Sequence, residues 1–231
     1  MSSWYDPYVR TATDNYQGLV TCKRGPVRLI LGPWTHGNRS SSAAGDVDFG
    51  PAAPLDDNLA PDFCTLRLRW FDRWLRSVDN GVETEPAVRV FVMGGGSGRR
   101  NAAGRLEHGG HWHQAATWPL PDTQFTPYYL HTNGTLSPDT PAAAAPPRTY
   151  RYDPAHPVPT IGGPISSGEP IMVAGAFDQR EAPAFFGARP PYRPLAERPD
   201  ILVFQTAPLI QAVEVTGPIV VHLWISSDGL D

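Results

Sequence analysis

The sequence has little of what marks several common classes of protein. Only 2 of its 231 residues are cysteine, which is too few for a disulfide framework, and the separation of Cys22 and Cys64 matches no zinc motif. We expect both thiols to be free and buried. No apolar run approaches the roughly 18 residues that a membrane-spanning helix needs, and the first residues lack the pattern of a signal peptide. These absences argue against a membrane protein and favour a cytoplasmic location.

Charge is also sparse. Charged residues make up 18% of the chain, its net charge is −4, and its lysines and arginines form no long run. We therefore expect no nucleic acid and no membrane as a partner. Oligomeric state is not indicated. Proline and glycine, by contrast, are abundant, with 26 and 22 residues. Because both favour turns, they predict a fold rich in short strands with few helices.

Hydrophobic periodicity changes near residue 80. Before it, the spacing predicts a helix over residues 7–23, a buried strand over 27–31 that ends at Gly32-Pro33, and a second helix that begins near residues 59–62. The second helix carries an apolar stripe that we expect to be core: Leu59, Phe63, Leu66, Trp70, Phe71, Trp74 and Leu75. After it, a period of two predicts strands over residues 87–93, 127–131, 149–153, 201–206 and 219–225.

This change predicts two domains. Residues 1–80 read as the C-terminal piece of an α/β domain, because one strand between two helices cannot form a sheet alone. Residues 81–231 read as a β-sandwich of jelly-roll type, with strands joined by long connections rich in proline and glycine. The last predicted strand lies close to residue 231, so we expect this second domain to be incomplete.

Two residues are candidates for catalysis. Asp6 follows Trp4-Tyr5, and His36 follows the predicted strand and its turn. Residues 1–3 are too short to supply a strand before Asp6, so that strand is only inferred. Both positions fall at the carboxyl edge of a sheet, where open α/β sheets place their sites, and an acid followed by a histidine is the order of the last two members of one type of catalytic triad. The alternative is that Asp6 caps a helix and His36 is an ordinary turn residue.

A resemblance adds to these patterns. Residues 4–6, 28–36 and 71–75 read Trp-Tyr-Asp, Arg-Leu-Ile-Leu-Gly-Pro-Trp-Thr-His and Phe-Asp-Arg-Trp-Leu. These segments are similar to the C-terminal half of serine hydrolases of the cocaine-esterase and X-prolyl dipeptidyl peptidase type. Further matches to the jelly-roll (galactose-binding-like) domain of that group occur at residues 88–94, 118–121, 152–154, 157–159 and 214–218.

The resemblance implies a fold and a chemistry. The fold would be the end of an α/β-hydrolase domain followed by a jelly roll. Asp6 would be the triad acid and His36 the general base. The substrate would be a small-molecule ester or amide, or an X-prolyl peptide, cleaved through an acyl-serine intermediate without a metal or cofactor. The 231 residues contain no Gly-x-Ser-x-Gly turn, so the nucleophile would lie outside this chain and the chain alone would be inactive.

Other readings remain open. His108, His111 and His113 favour a solvated loop over a metal site, because no carboxylate or cysteine completes a ligand spacing. The glycine-rich residues 94–98 favour a flexible connection over a phosphate-binding loop. A jelly roll without a nucleophile also fits a non-catalytic binding module, for example for carbohydrate, and a separate chain could supply the serine.

Overall fold

The computed structural model describes residues 1–165 and 171–229. In these ranges strands outnumber helices, as the composition predicts. The two α-helices are α1 (Val9–Cys22) and α2 (Phe63–Arg76). The strands are β1 (Ser2–Tyr5), β2 (Leu29–Thr35), β3 (Ala43–Ala44), β4 (Val47–Asp48), β5 (Val88–Met93), β6 (Leu106–Glu107), β7 (Gly110–Ala115), β8 (Tyr129–Leu130) and β9 (Leu136–Ser137). Short 3₁₀ turns occupy Val82–Thr84 and Leu195–Glu197.

The largest sheet has four strands in the order β1-β2-β5-β7. β1, β2 and β5 run parallel, and β7 pairs antiparallel with β5. The strand before Asp6 is thus present as β1, which corrects the expectation that residues 1–3 are too short. They form a strand because Trp4 and Tyr5 extend it and β2 supplies its partner. The sheet also continues across the boundary predicted at residues 80 and 81.

Strand β2 runs farther than the sequence predicts. Gly32-Pro33 was expected to end it, whereas β2 continues to Thr35. Proline lacks an N–H and is tolerated where no ladder bond is needed. Pro33 meets that condition, because the β2–β5 pairing stops at Leu31 and the pairing with β1 shifts register between Ser3 and Tyr5.

Both helices form where the periodicity places them. Asp62 caps α2 by accepting a hydrogen bond from the Thr65 backbone N–H at 2.7 Å, which also lowers the pKa of the Asp62 carboxyl. The expectation that the α2 stripe is core is wrong within the described chain: no residue of α2 is buried, and Leu75 is 76% exposed. Here α2 packs mainly near the Val82–Thr84 turn, and no described sheet covers its apolar face.

The core lies on the two faces of the main sheet. One cluster packs α1 against the sheet and includes Leu31, Val88 and Val90, all fully buried. The other packs the loop after β4 against Phe91. Contrary to expectation, Cys22 and Cys64 are exposed, because they lie on outward positions of helices. None of the helices in the described ranges is long and apolar enough to cross a membrane.

Beyond β9 the described chain is mostly irregular. Residues 127–131 contain β8, but 149–153 form no strand, and 201–206 contribute a single bridge from Gln205 to Thr135. Residues 219–225, the clearest strand by pattern, pair with no described strand and are exposed, with Trp224 at 95%. Alternation of apolar residues predicts a strand only where a partner can accept its backbone hydrogen bonds, and no such partner is among the described residues.

Three buried charged side chains, those of Arg198, Glu181 and Asp200, hold part of this irregular region together. The Arg198 guanidinium holds both oxygens of Asp200 at 2.7 and 2.8 Å and lies 3.4 Å from Glu181. It also donates to the backbone carbonyl of His156 at 2.8 Å. These contacts raise the pKa of Arg198 and lower that of Asp200. Arg198 thereby links His156 and Glu181, which are far apart in sequence.

Candidate active site

Two adjacent parallel strands bring the predicted pair together. β1 ends at Tyr5 and β2 at Thr35, and these two residues are register partners. Asp6 and His36 are the next residues along each strand. Because parallel strands end at the same edge of a sheet, a separation of 30 positions in sequence becomes direct contact in space.

The Asp6 carboxylate is fixed by its own turn. Its Oδ1 accepts a hydrogen bond from the Tyr8 backbone N–H at 2.8 Å, and its backbone carbonyl accepts one from Val9 at the start of α1. Asp6 is 7% exposed. The expectation that the Asp6 side chain caps the helix is wrong, because the N-cap of α1 is Tyr8 and it has no side-chain cap. The Asp6 side chain instead holds the turn before α1 with Oδ1 and leaves Oδ2 free for a second contact.

The second oxygen of Asp6 faces the histidine. Asp6 Oδ2 lies 3.1 Å from Nδ1 of His36. Because a carboxylate only accepts, this contact favours the imidazole tautomer with its proton on Nδ1. The edge of the Tyr8 ring packs against the imidazole, with centroids 5.5 Å apart. His36 Nε2 makes no hydrogen bond inside the described ranges, and 54% of the His36 side chain is exposed, so Nε2 can receive a proton from an outside group.

The Trp34 indole holds the end of strand β2, just before His36. Trp34 is buried, and its Nε1–H donates to the Ala53 carbonyl at 2.9 Å. The Trp34 ring folds back over Gly32 so closely that a Cβ there would lie 2.3 Å from it. Glycine at position 32 is therefore a packing requirement, and it lets Trp34 anchor the backbone that carries His36.

Other residues singled out from sequence lie apart from this pair. The expectation of a solvated loop is wrong for His111 and His113, which lie on strand β7, where they pair with β5. His108 lies in the short connection between β6 and β7. Burial lowers the pKa of His108, whose ring packs 5.4 Å from Phe49 and whose Nδ1 is buried without a partner. In the part of the chain that the structure describes, no three histidine, cysteine or acidic side chains come together as metal ligands. Residues 94–98 connect β5 to β6.

Sequence reasoning missed one feature of the site. A cavity of about 440 Å³ lies beside His36, lined from the first part of the chain by Thr35, Asn38, Ser41 and residues 43–45. Among the described residues, Arg105, Ile165, residues 172–174 and Phe177 also line it. Arg105 sits in a short glycine-containing loop with no motif, so no sequence pattern singles it out.

Comparison with known proteins places most of this chain in a family. Residues 80–231 match the X-Pro dipeptidyl-peptidase C-terminal non-catalytic domain. The chain belongs to the family of proteins that carry this domain. Asp6 and His36 both precede the matched region.

Relatives match over the whole length of this chain. Cocaine esterase of Rhodococcus sp. is 31% identical over 240 aligned residues, which cover 100% of this chain and 35% of that protein. Two proteins whose names contain the words serine esterase, from Mycobacterium bovis and Mycobacterium tuberculosis, are each 29% identical over 234 aligned residues, covering 100% of this chain and 30% of theirs. The chain thus spans about a third of the length of these relatives.

Proposed function

We propose that this chain supplies the acid and the general base of a serine hydrolase that cleaves esters or amides. The observation that carries the proposal is the 3.1 Å contact between Asp6 Oδ2 and His36 Nδ1 at the carboxyl edge of two parallel strands. Relatives named as esterases support the reaction class, and the family name adds X-prolyl dipeptidyl amides as a candidate substrate class.

The proposal includes a finer account of the fold. The parallel strands β1, β2 and β5, with α1 packed on them, support an assignment of the first part to the end of an α/β-hydrolase domain. The match to the C-terminal non-catalytic domain supports a β-sandwich for residues 81–231, of the jelly-roll type. The nucleophilic serine and its oxyanion donors lie outside this sequence, which has no Gly-x-Ser-x-Gly turn.

In the proposed reaction each of the two residues has its own step. Nε2 of His36 accepts the proton of the serine hydroxyl while the serine oxygen bonds to the substrate carbonyl carbon. Asp6 holds the ring in orientation and stabilises the imidazolium. His36 then returns the proton to the departing alcohol or amine as the carbonyl–heteroatom bond breaks. Water repeats the sequence on the acyl-serine and restores the hydroxyl. This chemistry needs neither a metal nor an organic cofactor.

An Asp6→Asn variant tests the assignment directly. The introduced amide can donate to Nδ1, which would move the imidazole proton to Nε2 and leave no base facing outward, as happens when a triad aspartate becomes asparagine. We expect the ¹⁵N shifts of the imidazole nitrogens to report the Nδ1–H tautomer in the natural chain and the Nε2–H tautomer in Asp6→Asn. Asp14→Asn, on the exposed face of α1, is the control and should leave the tautomer unchanged. The same tautomer in all three proteins would contradict the assignment.

Activity of the isolated chain is a second test. We expect the 231-residue chain to hydrolyse p-nitrophenyl acetate no faster than a His36→Ala variant, because it contains no nucleophile turn. Rapid turnover that His36→Ala abolishes would show that the nucleophile is within this chain.

A non-catalytic binding module is the second candidate function. The description of the matched domain as non-catalytic favours it for residues 80–231. Specific binding on a glycan array, unchanged by His36→Ala, would support a carbohydrate-binding role for this part of the chain.

A further inference from the structure

The described residues that line the cavity beside His36 are of two chemical kinds. The polar ones include His36, Asn38 and Arg105. The apolar ones include Ile165, Met172, Val173 and Phe177. A ligand that fills the cavity would therefore combine an apolar body with a polar group.

Backbone contacts at Ala176 hold the segment that carries Met172, Val173 and Phe177. The Ala176 carbonyl accepts a hydrogen bond from the Asp46 N–H at 2.8 Å, and the Ala176 N–H donates to Ala44 at 3.2 Å. Gly45 approaches Ala176 so closely that a Cβ on Gly45 would lie 2.4 Å from the Ala176 carbonyl oxygen. Ala176 thus packs on the loop between β3 and β4, and Gly45 of that loop also lines the cavity.

Arg105 brings the one fixed charge among the described lining residues. Its Nε donates to the Gly45 carbonyl at 3.1 Å, which orients the guanidinium and leaves both terminal nitrogens as donors. Over the described ranges no carboxylate lies within 4 Å of it. Glu107, the acidic residue nearest to it in sequence, pairs with Arg99 instead. A guanidinium whose two terminal nitrogens have no hydrogen-bond partner among the described residues matches the geometry of a carboxylate.

We propose that this cavity binds a small organic carboxylate, with its apolar body against Met172, Val173 and Phe177 and its carboxylate on Arg105. The link from this binding site to catalysis rests on the proposed function. If His36 is the general base, the esters or amides that the protein cleaves would carry a carboxylate. Arg105 then acts as a specificity-determining residue.

Binding of two probes of the same shape tests the proposal without turnover. We would titrate the ¹⁵N-labelled 231-residue chain with phenylacetate and with phenylacetamide at fixed ionic strength and follow the Arg105 side-chain and His36 ring signals. We expect phenylacetate to bind at least about tenfold more tightly than the amide, because only the carboxylate forms charge-assisted hydrogen bonds with the guanidinium. Arg105→Gln should abolish this difference, and Arg105→Lys should retain part of it.

Arg100→Gln is the matched control. Arg100 lies in the same loop and donates to the Gly104 carbonyl at 2.7 Å, but it does not line the cavity. Arg100→Gln therefore removes the same charge as Arg105→Gln without changing the cavity. We expect Arg100→Gln to keep the preference for phenylacetate. Equal affinity for the two probes in the natural chain, or an equal effect of the two glutamine variants, would overturn the proposal. The binding test measures no hydrolysis, so a negative result does not affect the assignment of Asp6 and His36. A negative tautomer result likewise does not affect the binding of a carboxylate by Arg105.

Discussion

Replacing Arg198 with methionine should destabilise the protein by more than its location among loops suggests. The variant keeps the aliphatic stem but leaves Asp200 and Glu181 without their counter-charge. The side chains of Arg198, Glu181 and Asp200 are 7%, 4% and 8% exposed, so water cannot take over the lost contacts. Breaking a deeply buried pair costs about 3–5 kcal/mol and an exposed pair at most about 1. The Arg198 cluster is covered but lies in a layer of loops, and we therefore expect a loss of about 2 kcal/mol.

Urea unfolding at pH 7 measures this loss. With a slope of about 2 kcal/mol per molar, the midpoint should fall by about 1 M. Arg10→Met is the control, because Arg10 and Asp14 form a pair whose side chains are 91% and 62% exposed, and its midpoint should hardly change. An equal midpoint shift for Arg198→Met and Arg10→Met would refute the argument from burial.

The same pair gives a pH dependence with a definite sign. Arg198 lowers the pKa of Asp200 in the folded protein, so the stability it contributes is present above the unfolded value of about 3.9 and is lost as pH falls through the lower folded value. The difference in stability between the natural chain and Arg198→Met should therefore narrow below about pH 4. A difference that stays constant down to pH 2 would show that packing, and not charge, causes it.

Two further variants probe other parts of the fold. Gly45→Ala should cost about 1–3 kcal/mol more than Gly50→Ala, because both glycines have positive φ but only Gly45 would place a Cβ against Ala176; equal losses in thermal unfolding would contradict this. Burial lowers the pKa of His108, so the unfolded chain takes up a proton that the folded one refuses, and stability should fall as pH drops below about 6.5. His108→Phe should reduce this loss between pH 7.5 and 5.5, whereas His111→Phe, at an exposed position, should not.

Local patterns predicted the elements whose apolar faces are covered within the described chain. α1, β2 and β5 follow from periodicity, and Asp6 and His36 come together because each directly follows a strand of the same parallel pair. For such elements the hydrophobic pattern and the edge rule of parallel sheets suffice.

The failures have a common physical cause. Residues 219–225 alternate as a strand should, and α2 has the stripe of a packed helix, yet both are exposed in the described chain. Periodicity reports which face of an element is apolar and says nothing of what covers it. The sequence pattern did not single out Arg105 for a related reason. Arg105 and His36 line the same cavity, but they are far apart in sequence.

The pairing of β5 with β2 has a practical consequence for dissecting this protein. The matched family region starts at residue 80, but Val88 and Val90 pair with Leu29 and Leu31 on the other side of that point. Arg28 likewise donates hydrogen bonds to the carbonyls of Glu85 and Pro86. A recombinant fragment that starts at residue 80 would carry an uncovered apolar edge strand, which promotes aggregation. Cleavage sites for functional dissection are therefore better placed after β7 than at the start of the matched region.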